Sequence, residues 1–382
     1  MIKIGGALVN RWLVLALCVL GGVAHATVLN QIAAVVSTKF VYQYNFTSPG
    51  QVPPVISDTR STTANYYNSG GTITSAATNT GRIDYDPAAL TAKGLLSELT
   101  AENFSLQSSV LTNAAWTLLN TTLGTDATTA PDGSTAEKLI ASAGSSVHRI
   151  GSAATMALPT NVTNTFSWYV KAGTNQYINF NIGQSANNYV ATIWNLTGTT
   201  NISPTQTSTG ATTGTLVSSL GQYAGNGWYR ISMSVAFGGG ITGFTSQIQH
   251  VGAATGNSFS TSGSVTYLAA GTETVYIFGP QSEGTTGIGS IGVPSSYFPT
   301  TAAAATRSAD SFSATGALTA QLKAGPSIWE STNLVTGVTT RTLYAANAFA
   351  FSTGVWYRSF AVYPPGTSTI VLNSRLAVGG PY

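Results

Sequence analysis

Three stretches of this chain alternate apolar and polar side chains with a period of two, and that period leaves little choice of fold. FSWYVKAG puts Phe166, Trp168 and Val170 on one face, with Ser167, Tyr169 and Lys171 on the other. YINFNIG groups Ile178, Phe180 and Ile182 against Tyr177, Asn179 and Asn181. WYRISMSV groups Tyr229, Ile231, Met233 and Val235 against Trp228, Arg230, Ser232 and Ser234. Successive side chains of a strand point to opposite faces, so each stretch reads as a strand with one face for a core. TVYIFG adds a buried strand that is expected to enter a turn at Gly279-Pro280. Helical periodicity is nearly absent.

The material between the strands fits the same class. Only 7% of the 382 residues are charged, while 43% are hydrophobic and 41 are Gly. A disordered chain would be charged and poor in aromatics, and this one has 17 Tyr, 14 Phe and 7 Trp. Long Thr/Gly/Asn/Ser stretches, such as 198 to 215 and 236 to 246, read as loops. The expectation is an all-β chain: a jelly-roll β-sandwich over residues 96–310, with a short N-terminal β segment over 27–95 and a small C-terminal β appendage over 311–382. Phe40, Tyr42, Tyr44 and Phe46 suggest one strand of the N-terminal segment, and two more are expected around the turn Asn68-Ser69-Gly70-Gly71.

The N-terminus carries an address. Lys3 and Arg11 precede a 12-residue apolar run from Trp12 to Val23, and Ala24-His25-Ala26 follows. That is the pattern of a secretory signal peptide over residues 1–26, and the run is short for a membrane span. Cleavage would remove Cys18, the only cysteine, and leave 13 basic against 12 acidic groups. The mature chain would then fold without disulfides. No Lys/Arg cluster offers phosphates a partner, so nucleic acid is not an expected ligand.

The order of several short pieces carries a resemblance. NTGRIDYDP, GLLSE, NAAW, APDGSTAEKL, FSWYVKAG, GWYR and SSYFPTTAAAATRSAD follow one another between residues 79 and 310. In that order they resemble a domain common in bacteriophage and prophage virion-surface proteins of tail-fibre or head-spike type, whose fold is similar to the carbohydrate-binding-module jelly roll. The resemblance covers roughly residues 60 to 312. It implies an adhesion or structural protein, secreted or on a virion surface, that binds host-cell carbohydrate as a homotrimer or beside other virion proteins. A secreted bacterial carbohydrate-binding protein and a decoration protein without ligand are the rival readings. Jelly rolls of this kind often hold a structural Ca²⁺, but the chain has no dense carboxylate loop to place one. The resemblance also implies that Tyr297-Phe298-Pro299 ends the last strand and that Arg307 ties the exit back to the domain. Asp84 and Asp86 of the IDYDP segment are its first-choice partners, since an Arg fork suits a carboxylate.

Catalysis has little to work with. His148 and His250 are far apart, and His250 reads as a satisfied strand histidine. No cofactor is expected, and no GxSxG elbow or HExxH helix appears. Sugar binding asks for less: an aromatic ring to stack on, with amides and an Arg to meet hydroxyls. The strand faces offer Tyr177, Asn179 and Asn181, together with Trp194, Trp228 and Arg230. These six are the expected glycan-binding residues, although for any one of the aromatics core packing is the commoner role.

Overall fold

The computed structural model describes residues 56–159, 162–185, 187–210, 214–238, 243–284 and 293–314. Outside these it describes only the strands Ile2–Ile4, Ala7–Val9, Ser327–Asn333, Thr339–Tyr344, Val355–Ala361 and Val371–Val378. None of the described residues is helical. Most of the expected signal peptide and the strand expected at Phe40–Phe46 lie outside the described residues.

Two antiparallel sheets form the sandwich. The ladder of sheet one runs Thr121–Thr129, Thr135–Ala141, Thr274–Glu283, Thr163–Ala172, Trp228–Phe237, Gly214–Tyr223. Sheet two runs Gln206–Thr209, Asn188–Asn195, Tyr177–Ser185, Thr245–His250, Arg149–Ser152, Trp116–Leu119. The chain crosses repeatedly between the sheets, as in a jelly roll: Thr163–Ala172 lies in sheet one, the next strand in sheet two, and Thr245–His250 separates two strands of sheet one.

The period-two reading gives the core directly. Phe166, Trp168 and Val170 from one sheet meet Ile178, Phe180 and Ile182 from the other, with Tyr229, Ile231, Met233 and Val235 beside them, all in one buried cluster. Trp116 packs edge-on against Trp168 at 5.1 Å between ring centroids, a preferred aromatic arrangement.

Two sequence expectations change here. The strand Thr274–Glu283 does not turn at Gly279-Pro280 but runs through it. Its register against Thr163–Ala172 slips between Ser167↔Gln281 and Tyr169↔Phe278, so Gly279 and Pro280 together oppose Trp168. That is a β-bulge, and a bulge accommodates a proline because the extra residue needs no ladder hydrogen bond. Gly279 sits at φ +56 with Tyr297 close by, where a Cβ would lie 3.1 Å from the ring. The loop expected over 198–215 contains the edge strand Gln206–Thr209. Its sequence, QTST, has no apolar alternation to announce it.

The N-terminal segment packs on the sandwich. Ala64–Tyr67 and Ile73–Ala76 form the expected hairpin, with Tyr67 opposite Ile73. Asn68 shapes its turn by accepting the Gly70 and Thr72 amides on Oδ1. A second hairpin pairs Arg82–Tyr85 with Ala92–Ser97. The sheet it starts continues into the four C-terminal strands, through a parallel pairing of Ala92–Ser97 with Val371–Val378. The boundary expected after residue 95 therefore falls inside a strand. Ile56–Asp58 pairs with Phe312–Ala314, which sets the entry and exit of the described body side by side.

Candidate functional site

The outer face of sheet one is covered rather than wet. Tyr169, Trp228 and Phe278 point out of the sandwich and form a second apolar cluster with Ile73, Ala224 and Tyr297. Trp228 donates its indole N–H to Thr129 O at 2.9 Å. Arg230 lies in the same layer, its guanidinium carbon 5.3 Å from the Tyr169 ring centroid. Its Nη1 donates to Ser295 O at 2.7 Å, and Nη2 to Ser167 Oγ at 3.2 Å.

Beside this layer lies a cluster of buried charges. Asp310 accepts Arg60 Nη1 on Oδ1 at 2.6 Å and Arg82 Nη2 on Oδ2 at 2.5 Å. Arg60 also holds Asp58 at 2.7 Å, and Arg82 holds Glu98 at 2.8 Å. Glu98 accepts the Ser296 amide at 2.6 Å and its hydroxyl at 2.7 Å. Burial alone would raise the Glu98 pKa, but Arg307, Arg82 and the Ser296 bonds outweigh it and lower it to about 2. Three arginines and three carboxylates thus neutralise one another out of water, the condition under which buried charge is tolerated.

Between the N-terminal hairpins and the outer face of sheet one the structure leaves a cavity of about 160 Å³. Tyr66, Tyr67, Tyr169 and Tyr223 contribute to its wall. Asn65, Asp84, Lys93, Asn201 and Gln222 supply its polar groups. The sequence positions these by hairpin geometry: Tyr66 and Tyr67 end one strand, Asp84 sits mid-strand in RIDY, and Gln222-Tyr223 end another just before the tight turn at Gly225. Tyr67 donates its hydroxyl to that of Tyr169 at 3.0 Å, and its amide to Asp84 Oδ1 at 2.9 Å. Burial raises the Asp84 carboxyl to about 6, against the pull of Lys93 and the Tyr67 amide. Burial likewise lowers Lys93, which Asp84 and Asp86 partly offset. Asp86, Glu98 and Arg230 also line the wall; Lys93 meets Asp86 at 3.8 Å and Glu98 meets Arg82 at 2.8 Å, pairings that favour a neutral polar guest over an ion.

The six residues expected to bind glycan do not meet. Asn179 and Asn181 are on the outer face of sheet two, but a loop covers them: Asn179 donates to Gly263 O at 2.8 Å and Asn181 to Ser262 O at 2.9 Å. Tyr177 is half-buried against Ile193, Val251 and Val265. Trp194 points the other way, into the sandwich core. Trp228 and Arg230 belong to the covered face of sheet one. Alternation assigns a side chain to a face and is silent on what lies over that face. The ion-pair expectation is corrected as well. Arg307 reaches Glu98 at 3.6 Å and donates to Leu99 O at 2.7 Å, rather than to Asp84 or Asp86. The reason is register: Arg307 pairs with Ala101 across Ala305–Arg307 and Ala101–Asn103, which sets it beside Glu98. Asp86 instead caps the Ala88 and Ala89 amides and faces Lys93 at 3.8 Å.

Sequence reasoning passed over the cavity tyrosines. The available signal was the pair Tyr66-Tyr67 in the hairpin ANYYNSGGTITSA, where one of two adjacent rings must leave the core side. Arg60 and Asp58 carry no signal of their own in the sequence, and Glu98, which spacing alone would set beside Glu102 on a helix face, instead pairs with Arg82 where no helix forms. Among the described residues, no group of three His, Cys, Asp or Glu could hold a metal ion. No helix among them is long and apolar enough to cross a membrane. No protein-family model matches the chain, and no curated protein sequence matches it.

Proposed function

We propose that this chain is a non-catalytic adhesion protein of the virion-surface type, and that it binds neutral carbohydrate in the cavity between its N-terminal hairpins and sheet one. One observation carries the reading: tyrosine rings and uncharged or mutually balanced polar groups converge on a space sized for a single sugar ring. A pyranose offers an apolar C–H face for a ring and a rim of hydroxyls for amides and carboxylates. The sequence resemblance supports the setting on a phage or prophage surface. A secreted carbohydrate-binding protein would use the same cavity.

Bond cleavage is not part of the proposal, because Asp86 is spent on capping and Asp84 on the Tyr67 amide. Nor is a nucleic-acid partner, since Arg60, Arg82, Arg230 and Arg307 are all buried. Single-site affinity of one ring should be weak, so useful adhesion calls for several copies in an array or a trimer.

A glycan array probed with the full chain tests the reading. Binding to neutral hexose-bearing glycans is expected, lost in Tyr66→Ala and retained in Tyr177→Ala. A silent array overturns it in favour of a decoration protein without ligand. Binding that survives Tyr66→Ala moves the site elsewhere.

A further inference from the structure

A second, larger depression opens against the same hairpin. It has a volume of about 760 Å³ and runs over Thr62, Thr63, Thr74, Ser75, Thr78 and Ser109. Asn65, Ile73 and Tyr297 line both this groove and the tyrosine cavity. The hairpin of Ala64–Tyr67 and Ile73–Ala76 therefore borders both spaces.

Their chemistry differs in a way that matters for a ligand. The cavity has rings and charged groups of both signs. The groove has hydroxyls and a single carboxylate, Asp132, already engaged by the Ser134 amide at 3.0 Å and hydroxyl at 2.6 Å. Its one cation, Arg307, is buried with its Nη groups turned to Leu99 O, Ser308 O and Glu98. Nothing in the groove selects for charge. The exposed hydroxyls of Thr63, Ser75, Thr78 and Ser109, beside half-buried Thr62 and Thr74, donate and accept equally well, and so match a partner that does the same.

Resting on the carbohydrate reading above, we propose that the ligand is a neutral oligosaccharide rather than a free sugar. One terminal ring enters the tyrosine cavity, and the following units lie along the hydroxyl groove over Thr63 and Ser75. The cavity is the smaller of the two spaces, and the groove alone has no aromatic face standing free to fix a ring in place. Each needs the other: the cavity sets orientation, and the groove adds contacts with chain length.

The test is a chain-length series. The full chain is titrated with the mono-, di- and tetrasaccharide of each neutral series bound on the array. The tetrasaccharide is expected to bind roughly tenfold or more tightly than the monosaccharide, since each ~1.4 kcal/mol of added contact is a factor of ten. Ser75→Trp, which plugs the groove from an exposed position, should erase that gain and leave monosaccharide binding unchanged. Thr63→Val, which removes a hydroxyl and keeps the shape, should reduce the gain by several-fold. Equal affinity for mono- and tetrasaccharide, or a gain that survives Ser75→Trp, overturns the groove while leaving the cavity reading intact. Binding of no sugar of any length removes both.

Discussion

Arg60 and Asp310 are 250 residues apart in the chain and 2.6 Å apart in space. The contact closes the described body at its base, because Asp310 also receives Arg82 and the Glu98 amide on its other oxygen. One carboxylate thus joins the entering strand, the second hairpin and the exit.

Asp310→Asn should therefore destabilise strongly. Asn is no counter-ion and would leave Arg60 and Arg82 short of negative charge inside a dry cluster, a defect that typically costs about 3–5 kcal/mol. Urea unfolding followed by tyrosine and tryptophan fluorescence measures it. A loss below ~1 kcal/mol would mean that the cluster is hydrated in solution, as surface pairs are.

Arg307→Ala should cost less, about 2 kcal/mol, because Glu98 retains Arg82 and both Ser296 bonds while the Leu99 carbonyl bond and two longer contacts, to Ser308 O and Glu98, are lost. Combining it with Glu98→Gln should give less than the sum of the two single losses, as contacting residues do. Strict additivity would deny the coupling.

Asp84→Asn is expected to stabilise the protein at pH 8 by roughly 1–3 kcal/mol, in keeping with 1.36 kcal/mol per unit of pKa shift. The sign follows from burial. The folded carboxyl titrates near 6, above its ordinary 3.8, so the stability it supports is present below pH 3.8 and lost as pH rises through 6. Asn keeps an oxygen for the Tyr67 amide and never ionises. The difference between variant and parent should disappear near pH 4, and a pH-independent difference in Tm would refute the assignment.

His250 works in the opposite direction. Burial lowers it to about 4, its Nε2 faces Leu139 O at 3.2 Å, and its Nδ1 lies 3.3 Å from the Asn175 amide. The unfolded imidazole binds a proton near 6.5 and the folded one resists until about 4, so stability should fall as pH drops between those values. His250→Gln should flatten that slope in a pH series of unfolding curves. An unchanged slope would place the acid sensitivity in another group.

The faces of three strands were legible because their alternation is strict: Ile178, Phe180 and Ile182 could only go inward. Asn188–Asn195 was not, because it is buried on both sides. Val190, Thr192 and Trp194 face the core, and Tyr189, Ala191 and Ile193 lie under other parts of the chain. A strand covered twice loses its period in the sequence, which is how Trp194 came to be read outward. Gln206–Thr209 failed for the reverse reason, being polar on both sides. The ion cluster was half legible. The resemblance pointed to Arg307, but its partner depends on the register of a three-residue strand against Ala101–Asn103, and nothing local encodes that. The cavity showed only through the adjacent rings Tyr66-Tyr67, since its walls come from segments more than 100 residues apart.

The pairing of Ile56–Asp58 with Phe312–Ala314 has a consequence for ancestry. Two antiparallel neighbours are spaced by about 4.8 Å, so everything between them is a closed excursion from a single doorway. A body of that kind can be spliced into a surface loop of another protein, or deleted from it, without stretching the recipient chain. The arginine clasp lies wholly within that excursion, since Arg60, Arg82, Arg307 and Asp310 all fall inside the doorway, while Ala92–Ser97 keeps one strand pairing outside it, to Val371–Val378.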